Sequence, residues 1–365
     1  MAKAATGARH KKTPAQHTNH SSTMNFKSTA LAALAALTLP MAAQAAVGAA
    51  NCPGLKTGDY VALGPFDGDV TTRVEPLGVD ATTLVVTTPN GPKQLTADAD
   101  KCAFTTPEGL ALRVANTSGV FLVTGENGGA LVVPKQVVAR KALAGTWNYM
   151  RQEQGTDGIL HTYNGKLEVT ATGRVTGTNC DSAGLNCGTQ FKLGTLVAEA
   201  AGGFSVVNPE GVRTWLFPIK SKDGKLAMIG VDPDANLGAI TVLAQANPLS
   251  LPTAGDKFAN WDKQFPGNGT YSPLAAYSFR ILSTDATTNS FVRRRNEDCR
   301  KETWGMNSGR DGLQFRKAGS STLCDGSVAS YGPNLVMNLR SSFGFSVYGY
   351  ESTNTHYFGM SIARP

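Results

Sequence analysis

Through residues 46–365, apolar and polar positions alternate in short runs that Gly, Pro, Asn, Asp or Ser interrupts. Side chains two apart share one face of a strand, so a period of two predicts half-buried β-strands. Turn residues return every ~8–12 positions, the spacing of antiparallel all-β meanders. Almost no stretch carries the 3.6-residue period of an amphipathic helix. Residues 46–140 supply GDYVAL, DVTTRVEPL, TTLVVTT, KCAFTT, GLALRVA, GVFLVTG and GALVVPKQVV, with turn signals at PNGP (89–92) and GENGG (125–129). Residues 141–250 supply a second set, including GTWNYMR, KLEVTATG, VRTWLFPIK and KLAMIGVD, with a hairpin turn at SKDGK (221–225). A Pro-containing connection at 251–266 precedes a third set at 267–365, which includes SFVRRR, RKETWGM, NLVMNLR and FGFSVYGYE.

The expected fold class is therefore all-β: three consecutive antiparallel β-meander modules, each a small barrel or sandwich. Closure into barrels would hide sheet edges that otherwise invite pairing with other chains. Internal likeness links the modules. Gly58-Asp59-Tyr60, Gly145-Thr146-Trp147 and Gly269-Thr270-Tyr271 each open one, and GFSVV at Gly203 and GFSVY at Gly344 fall near module ends.

Ahead of the strands, residues 24–45 read as a secretory signal. Lys27 supplies the n-region, residues 30–41 an apolar run, and Ala43-Gln44-Ala45 a small-x-small cleavage site. Residues 1–23 are polar, basic and without hydrophobic period, and read as a disordered or spurious extension. The expectation is a soluble protein, secreted or periplasmic after cleavage near Ala45. No transmembrane segment is expected in the mature chain, because no later run approaches ~20 apolar residues. Asn51 stands where a lipoprotein at Cys52 would need a small residue.

That leader changes the charge argument. The whole chain has 34 basic and 27 acidic residues, but residues 1–45 hold five basic and no acidic ones, leaving 29 against 27. A basic pI that belongs mainly to a leader is no support for nucleic-acid binding, and none is expected. The six cysteines of an exported chain read as disulfides. One falls to each module if they pair in sequence: Cys52 with Cys102, Cys180 with Cys187, Cys299 with Cys324.

The opening of the second module, LAGTWNYM, resembles that of lipocalins and other calycin-type barrels, whose G-x-W here matches Gly145 and Trp147. The resemblance covers the second module alone, and the family's T-D-Y-like motif has no clear copy. It implies a barrel with Trp147 across its closed end and a cavity for an apolar or amphipathic small molecule. Trp147 also reads as an ordinary core residue.

Catalytic machinery is hard to find. The chain has no G-x-S-x-G elbow, H-E-x-x-H, C-x-x-C or P-loop, so no catalytic residue, metal ligand or cofactor is assigned. DPDANLG (232–238) alternates oxygen ligands, but its Gly falls one place late for an EF-hand loop, and Leu243 stands where the closing Glu belongs. His161 and His356, the two histidines beyond the leader, read as surface or turn residues.

The last module differs in composition. Residues 266–365 hold 11 basic residues, nine of them Arg, against 7 acidic, and 13 of the 28 aromatics. Guanidinium forks pair with carboxylate or phosphate, and aromatic rings stack on them, so this mixture suits recognition. It equally suits an aromatic core with charged outer faces. Within FVRRRNEDCRKETW, alternation puts Phe291, Arg293 and Arg295 on one face, with Arg300, Glu302 and Trp304 sharing a face of the return strand. Candidate ligand-binding residues are therefore Trp147, Arg293, Arg295, Arg300 and Trp304. The reading is a non-catalytic ligand-binding or envelope-associated protein whose partner is an apolar small molecule or an anionic extracellular polymer. A secreted hydrolase with a site between modules and a purely structural or inhibitory surface protein stay open beside it.

Overall fold

The computed structural model describes residues 52–64, 73–125, 128–155, 158–232, 239–266, 274–353 and 355–363. Residues 1–45, the centre of GENGG, most of DPDANLG and the 269–271 triplet lie outside them.

The first module forms β1 (Gly58–Gly64), β2 (Arg73–Asp80), β3 (Val85–Thr88), β4 (Gly91–Gln94), β5 (Thr96–Ala97), β6 (Ala103–Thr105), β7 (Ala111–Val114), β8 (Phe121–Gly125) and β9 (Gly128–Pro134). The second forms β10 (Gly145–Gln154), β11 (Leu160–Val169), β12 (Arg174–Cys180), β13 (Phe191–Thr195), β14 (Val197–Ala198), β15 (Phe204–Val207), β16 (Arg213–Lys220), β17 (Leu226–Val231) and β18 (Ala239–Gln245). Their sheets run β4-β3-β2-β1-β9-β8-β7-β6-β5 and β13-β12-β11-β10-β18-β17-β16-β15-β14. Each is an antiparallel meander whose first strand pairs with its last, and the seam falls between the fourth and fifth strands.

The two modules share more than strand order. One buried leucine, Leu95 or Leu196, joins the fourth strand to the fifth. Leu95 donates its N–H to the Leu84 carbonyl at 2.7 Å, and Leu196 donates to that of Gly173 at 2.8 Å. Leu84 and Gly173 both have positive φ, and each directly precedes the third strand of its sheet. In the first strands, the Tyr60 hydroxyl donates to the Lys56 carbonyl at 3.0 Å, and Trp147 Nε1 to that of Leu143 at 2.9 Å. The GDY and GTW openings are thus two versions of one architecture. The GFSV pair is different: Gly203 and Gly344 both have positive φ before a strand, but those strands hold different places in their sheets.

The third module contains β19 (Lys257–Pro266), β20 (Ala275–Asp285), β21 (Ser290–Arg295), β22 (Lys301–Met306), β23 (Leu313–Arg316), β24 (Gly319–Thr322), β25 (Val328–Tyr331), β26 (Asn334–Asn338), β27 (Phe345–Ser352) and β28 (Thr355–Ala363), with a one-turn helix, α1 (Arg340–Phe343), before β27. Eight of these close into a barrel, β19-β20-β21-β22-β23-β26-β27-β28, while β24 and β25 form a separate hairpin. Residues 257–266, expected inside a linker, are instead the strand that closes this barrel against β20 and β28. Asn260, Asp262 and Lys263 are buried there, and polar residues at buried positions erase the alternation that marks a strand.

Cys52–Cys102, Cys180–Cys187 and Cys299–Cys324 are all bonded, each within one module. Closing loops of these lengths removes chain entropy worth roughly 2.5–4 kcal/mol per bridge.

One core reaches across all three modules. Inward residues of the first two sheets fill their own interiors, Tyr60, Phe104 and Phe121 in the first, Trp147, Leu167 and Met228 in the second. Their outward neighbours, Val61, Leu63, Leu131, Val133, Ile229, Val231 and Val242, pack with Leu335, Phe345, Val347, Phe358 and Met360 of the third. That is why β17 is buried at all six positions: both faces of the strand are covered. Polar pins cross the same boundaries. Arg310 donates to Asn148 Oδ1 at 2.9 Å and to the Gly165 carbonyl at 3.1 Å, and Ser118 Oγ donates to the Phe343 carbonyl at 2.6 Å.

Candidate functional site

On one side of the third barrel the alternation is inverted. Along β26, β27 and β28, the apolar positions Leu335, Met337, Phe345, Val347, Phe358, Met360 and Ile362 point outward into the shared core. Asn334, Asn338, Ser346, Tyr348, Tyr357 and Ser361, the intervening positions, line a cavity of about 960 Å³. On the opposite wall, Arg293, Arg295, Arg300, Arg316 and Trp304 line the same space, and Arg340 enters it from α1. On these three strands the outer face supplies the hydrophobic burial and leaves the inner positions polar, whereas Phe279, Ile281, Phe291, Trp304 and Met306 of β20–β22 keep an apolar inner face.

Each guanidinium is held by a ring or a carboxylate. Arg293 lies over Phe279 and Trp304 at 4.4 and 4.6 Å from the ring centroids, and donates Nε to Glu302 Oε2 at 2.7 Å. Arg316 lies over Tyr331 at 4.7 Å, bonds Glu302, and donates to the Gly332 carbonyl at 2.7 Å. Arg300 pairs with Glu302 at 3.1 Å, and Arg295 forms a two-pronged bond with Asp298 at 2.6 and 3.0 Å. Stacking and forked pairing fix these planes, which is how a binding wall is preorganised.

Glu302 is the anion at the centre. Burial alone would raise its pKa, but the Arg293, Arg316 and Arg300 guanidiniums outweigh that and hold it at about 2. Trp304 Nε1 donates to it as well, at 3.1 Å. Asp262 behaves oppositely: burial pushes its carboxyl up despite hydrogen bonds from Tyr348 and Tyr277 at 2.6 and 2.8 Å.

Arg340 stands apart. It lies over Phe279 at 5.3 Å and Phe258 at 5.9 Å, and its one side-chain donation is to Ser361 Oγ at 3.3 Å. Among the described residues no carboxylate is within ion-pair distance of it. Burial, reinforced by the nearby Arg293 charge, depresses its pKa to about 10. Nε of Arg316 and of Arg340 and Oγ of Ser346 are buried without a protein partner, each at the cavity wall. Buried donors in folded proteins are normally satisfied, so these positions call for solvent or ligand acceptors. Five guanidiniums face three carboxyl groups, Glu302, Asp298 and Asp262. The cavity carries excess positive charge in a low-dielectric setting.

Of the sequence-derived candidates, Arg293, Arg295, Arg300 and Trp304 meet at this cavity. Trp147 does not: it is fully buried in the second module, packed among Leu143, Leu196 and Leu243. Arg316, Arg340, Tyr277 and Asp262 were not singled out from sequence, since they come from four other segments that only barrel closure brings together.

No protein-family model matches the chain, and no curated protein does. Among solved structures, a candidate outer membrane protein of Bacteroides fragilis NCTC 9343 is 13% identical over 62% of this chain and 100% of its own, with a TM-score of 0.20. A DUF3598-family protein of unknown function from Nostoc punctiforme PCC 73102 is 13% identical over 62% of this chain and 99% of its own, at 0.21. A mutant of the vaccine antigen transferrin binding protein B from Haemophilus parasuis Hp5 is 6% identical over 84% of this chain and 75% of its own, at 0.24. With TM-scores this low, none of the three superposes as a whole on this chain.

A further titratable cluster lies between modules. His161 on β11 and His356 on β28, expected as surface or turn residues, are both half-buried on strands and converge on Glu351 of β27. Among the described residues no helix is long and apolar enough to cross a membrane.

Proposed function

We propose that this is a non-catalytic binding protein whose third barrel takes up a small anionic ligand with an apolar or aromatic part. The observation that carries the reading is Arg340, a guanidinium deep in a 960 Å³ cavity with no carboxylate partner among the described residues. Four further arginines line the same cavity, stacked on rings or paired with carboxylates. A carboxylate, sulfonate or phosphate group set between Arg340 and Arg293 would relieve their mutual repulsion and supply the missing acceptors. The apolar end formed by Phe279, Ile281, Phe291, Trp304 and Met306 suits the remainder of such a ligand.

The arginines face the barrel interior rather than its outside, which favours a small molecule over an extended polymer. The calycin-like reading of the second module keeps its G-x-W, but Trp147 fills that interior, so the ligand cavity is assigned to the third barrel. Three intramolecular disulfides and the signal-like segment at 24–45 support an exported, periplasmic or surface setting. Native mass spectrometry of the protein purified from its own host tests the reading. An anionic adduct that is lost in Arg340→Gln supports it, whereas a neutral adduct retained by that variant contradicts it.

A further inference from the structure

The two histidines of the strand-forming chain lie 195 positions apart, yet meet at one carboxylate. Glu351 and His356 are direct partners across the β27–β28 hairpin of the third barrel. His161 comes from β11 of the second module. Its neighbour Thr162 locks the approach: the Thr162 N–H donates to Glu351 Oε2 at 2.6 Å, and its hydroxyl donates to the Tyr357 carbonyl at 2.9 Å. Oε2 is thereby occupied, and Oε1 turns towards the imidazoles. His161 Nδ1 lies 3.1 Å from Oε1, and His356 Nδ1 lies 3.9 Å from it. All three ligand atoms fall within 4.8 Å of one another.

We infer that His161, Glu351 and His356 form a binding site for a divalent transition-metal ion, zinc being the best chemical match. Two imidazole nitrogens and one carboxylate oxygen are a donor set that zinc accepts, with a further position left to water or another ligand. Two ligands at ~2.0–2.1 Å from one ion at the tetrahedral angle stand ~3.3 Å apart. The two histidine–carboxylate separations, 3.1 and 3.9 Å, bracket that value, and the third lies within 4.8 Å, so side-chain rotation brings the three donors around one ion. A second observation points the same way: His356 Nδ1 is buried and has no hydrogen-bond partner. An ion set between this nitrogen and Glu351 Oε1 would give both a partner. The three side chains are 20–25% exposed, which leaves an entry path and room for the fourth ligand. Because its donors come from two modules, the ion would tie β11 to the β27–β28 hairpin. That hairpin also carries Thr355 and Tyr357 to the cavity wall.

The test is Zn²⁺ titration of the full, untagged chain by calorimetry, with His10, His17 and His20 replaced by Ala so that N-terminal histidines do not compete. The expected result is one saturable site per chain. His161→Ala and His356→Ala should each weaken it by more than the roughly 10–100-fold that losing an outer-shell partner costs. Zn²⁺ should also raise the melting temperature of the parent but not of Glu351→Gln. Binding of equal affinity and stoichiometry in both histidine variants, or no saturable binding in the parent, overturns the site. Should a histidine variant lose its fold by circular dichroism, Co²⁺ titration of the parent decides. A visible d–d band saturating at one equivalent supports the site, and its absence overturns it.

Discussion

Arg293 and Glu302 stand directly opposite each other on β21 and β22, and their side chains pair at 2.7 Å inside the third barrel. Glu302 answers two more guanidiniums, Arg300 and Arg316, so one buried carboxylate organises the whole cationic wall. Its role sets the first expectation about stability.

Glu302 has a folded-state pKa of about 2 against an ordinary value of 4.5. A carboxylate with a depressed pKa stabilises the fold fully above its unfolded pKa, and that stabilisation fades as pH falls through the folded one. The shift corresponds to about 3 kcal/mol, and breaking a buried pair by removing one partner costs roughly 3–5 kcal/mol. Glu302→Gln should therefore lower stability at pH 7 by about that amount, with the gap to wild type narrowing between pH 4.5 and 2. Urea melts across this range measure it. A gap that stays constant with pH would show that the charge of Glu302 is not what holds the wall.

Asp262 carries the opposite sign. Burial raises its pKa, so the folded state binds this proton more tightly than the unfolded chain does. Its charge costs stability above the unfolded pKa, and lowering the pH through the folded pKa relieves that cost. Asp262→Asn retains an oxygen acceptor for Tyr277 and Tyr348 while removing the charge. Stability at pH 7 should be unchanged or higher, and anion binding should tighten because the cavity gains net positive charge. Calorimetric melts check the first statement; a loss of more than about 2 kcal/mol, the scale of a buried unsatisfied group, counts against it.

Trp147 separates the two barrels that were candidates for a ligand. Trp147→Phe removes the Nε1 bond to the Leu143 carbonyl and some packing, for a loss of about 1–3 kcal/mol. Anion binding should be untouched, because Trp147 does not line the cavity. Weakened binding in a variant that keeps its fold would move the site back to the second module.

Much of the architecture was legible in the chain. Period-two alternation and turn residues gave the meanders, and cysteine spacing gave three bridges, because both are local signals. Alternation also placed Phe291, Arg293 and Arg295 on one face. It does not say which face turns inward, since a strand buried on both sides offers no apolar contrast to choose by. In β27, Phe345 and Val347 pack outward on the other modules while Ser346 and Tyr348 face the cavity. The closing strand at 257–266 was hidden for a related reason, as its buried Asn260, Asp262 and Lys263 read as loop. Arg340 lay in a one-turn helix with no motif around it, and His161 and Glu351 meet only through packing between modules.

The anion site proposed for the third barrel depends on Arg340 and its neighbours. It is tested most directly by fluorescence titration with an aromatic sulfonate, 8-anilinonaphthalene-1-sulfonate, beside its neutral relative N-phenyl-1-naphthylamine. Wild type should bind the sulfonate saturably and more tightly than the neutral probe. Arg340→Gln should weaken the sulfonate by about 10–100-fold, the worth of a charge-assisted hydrogen bond, and leave the neutral probe unchanged. Equal affinity of wild type and Arg340→Gln for the sulfonate would rule out an anion site at Arg340.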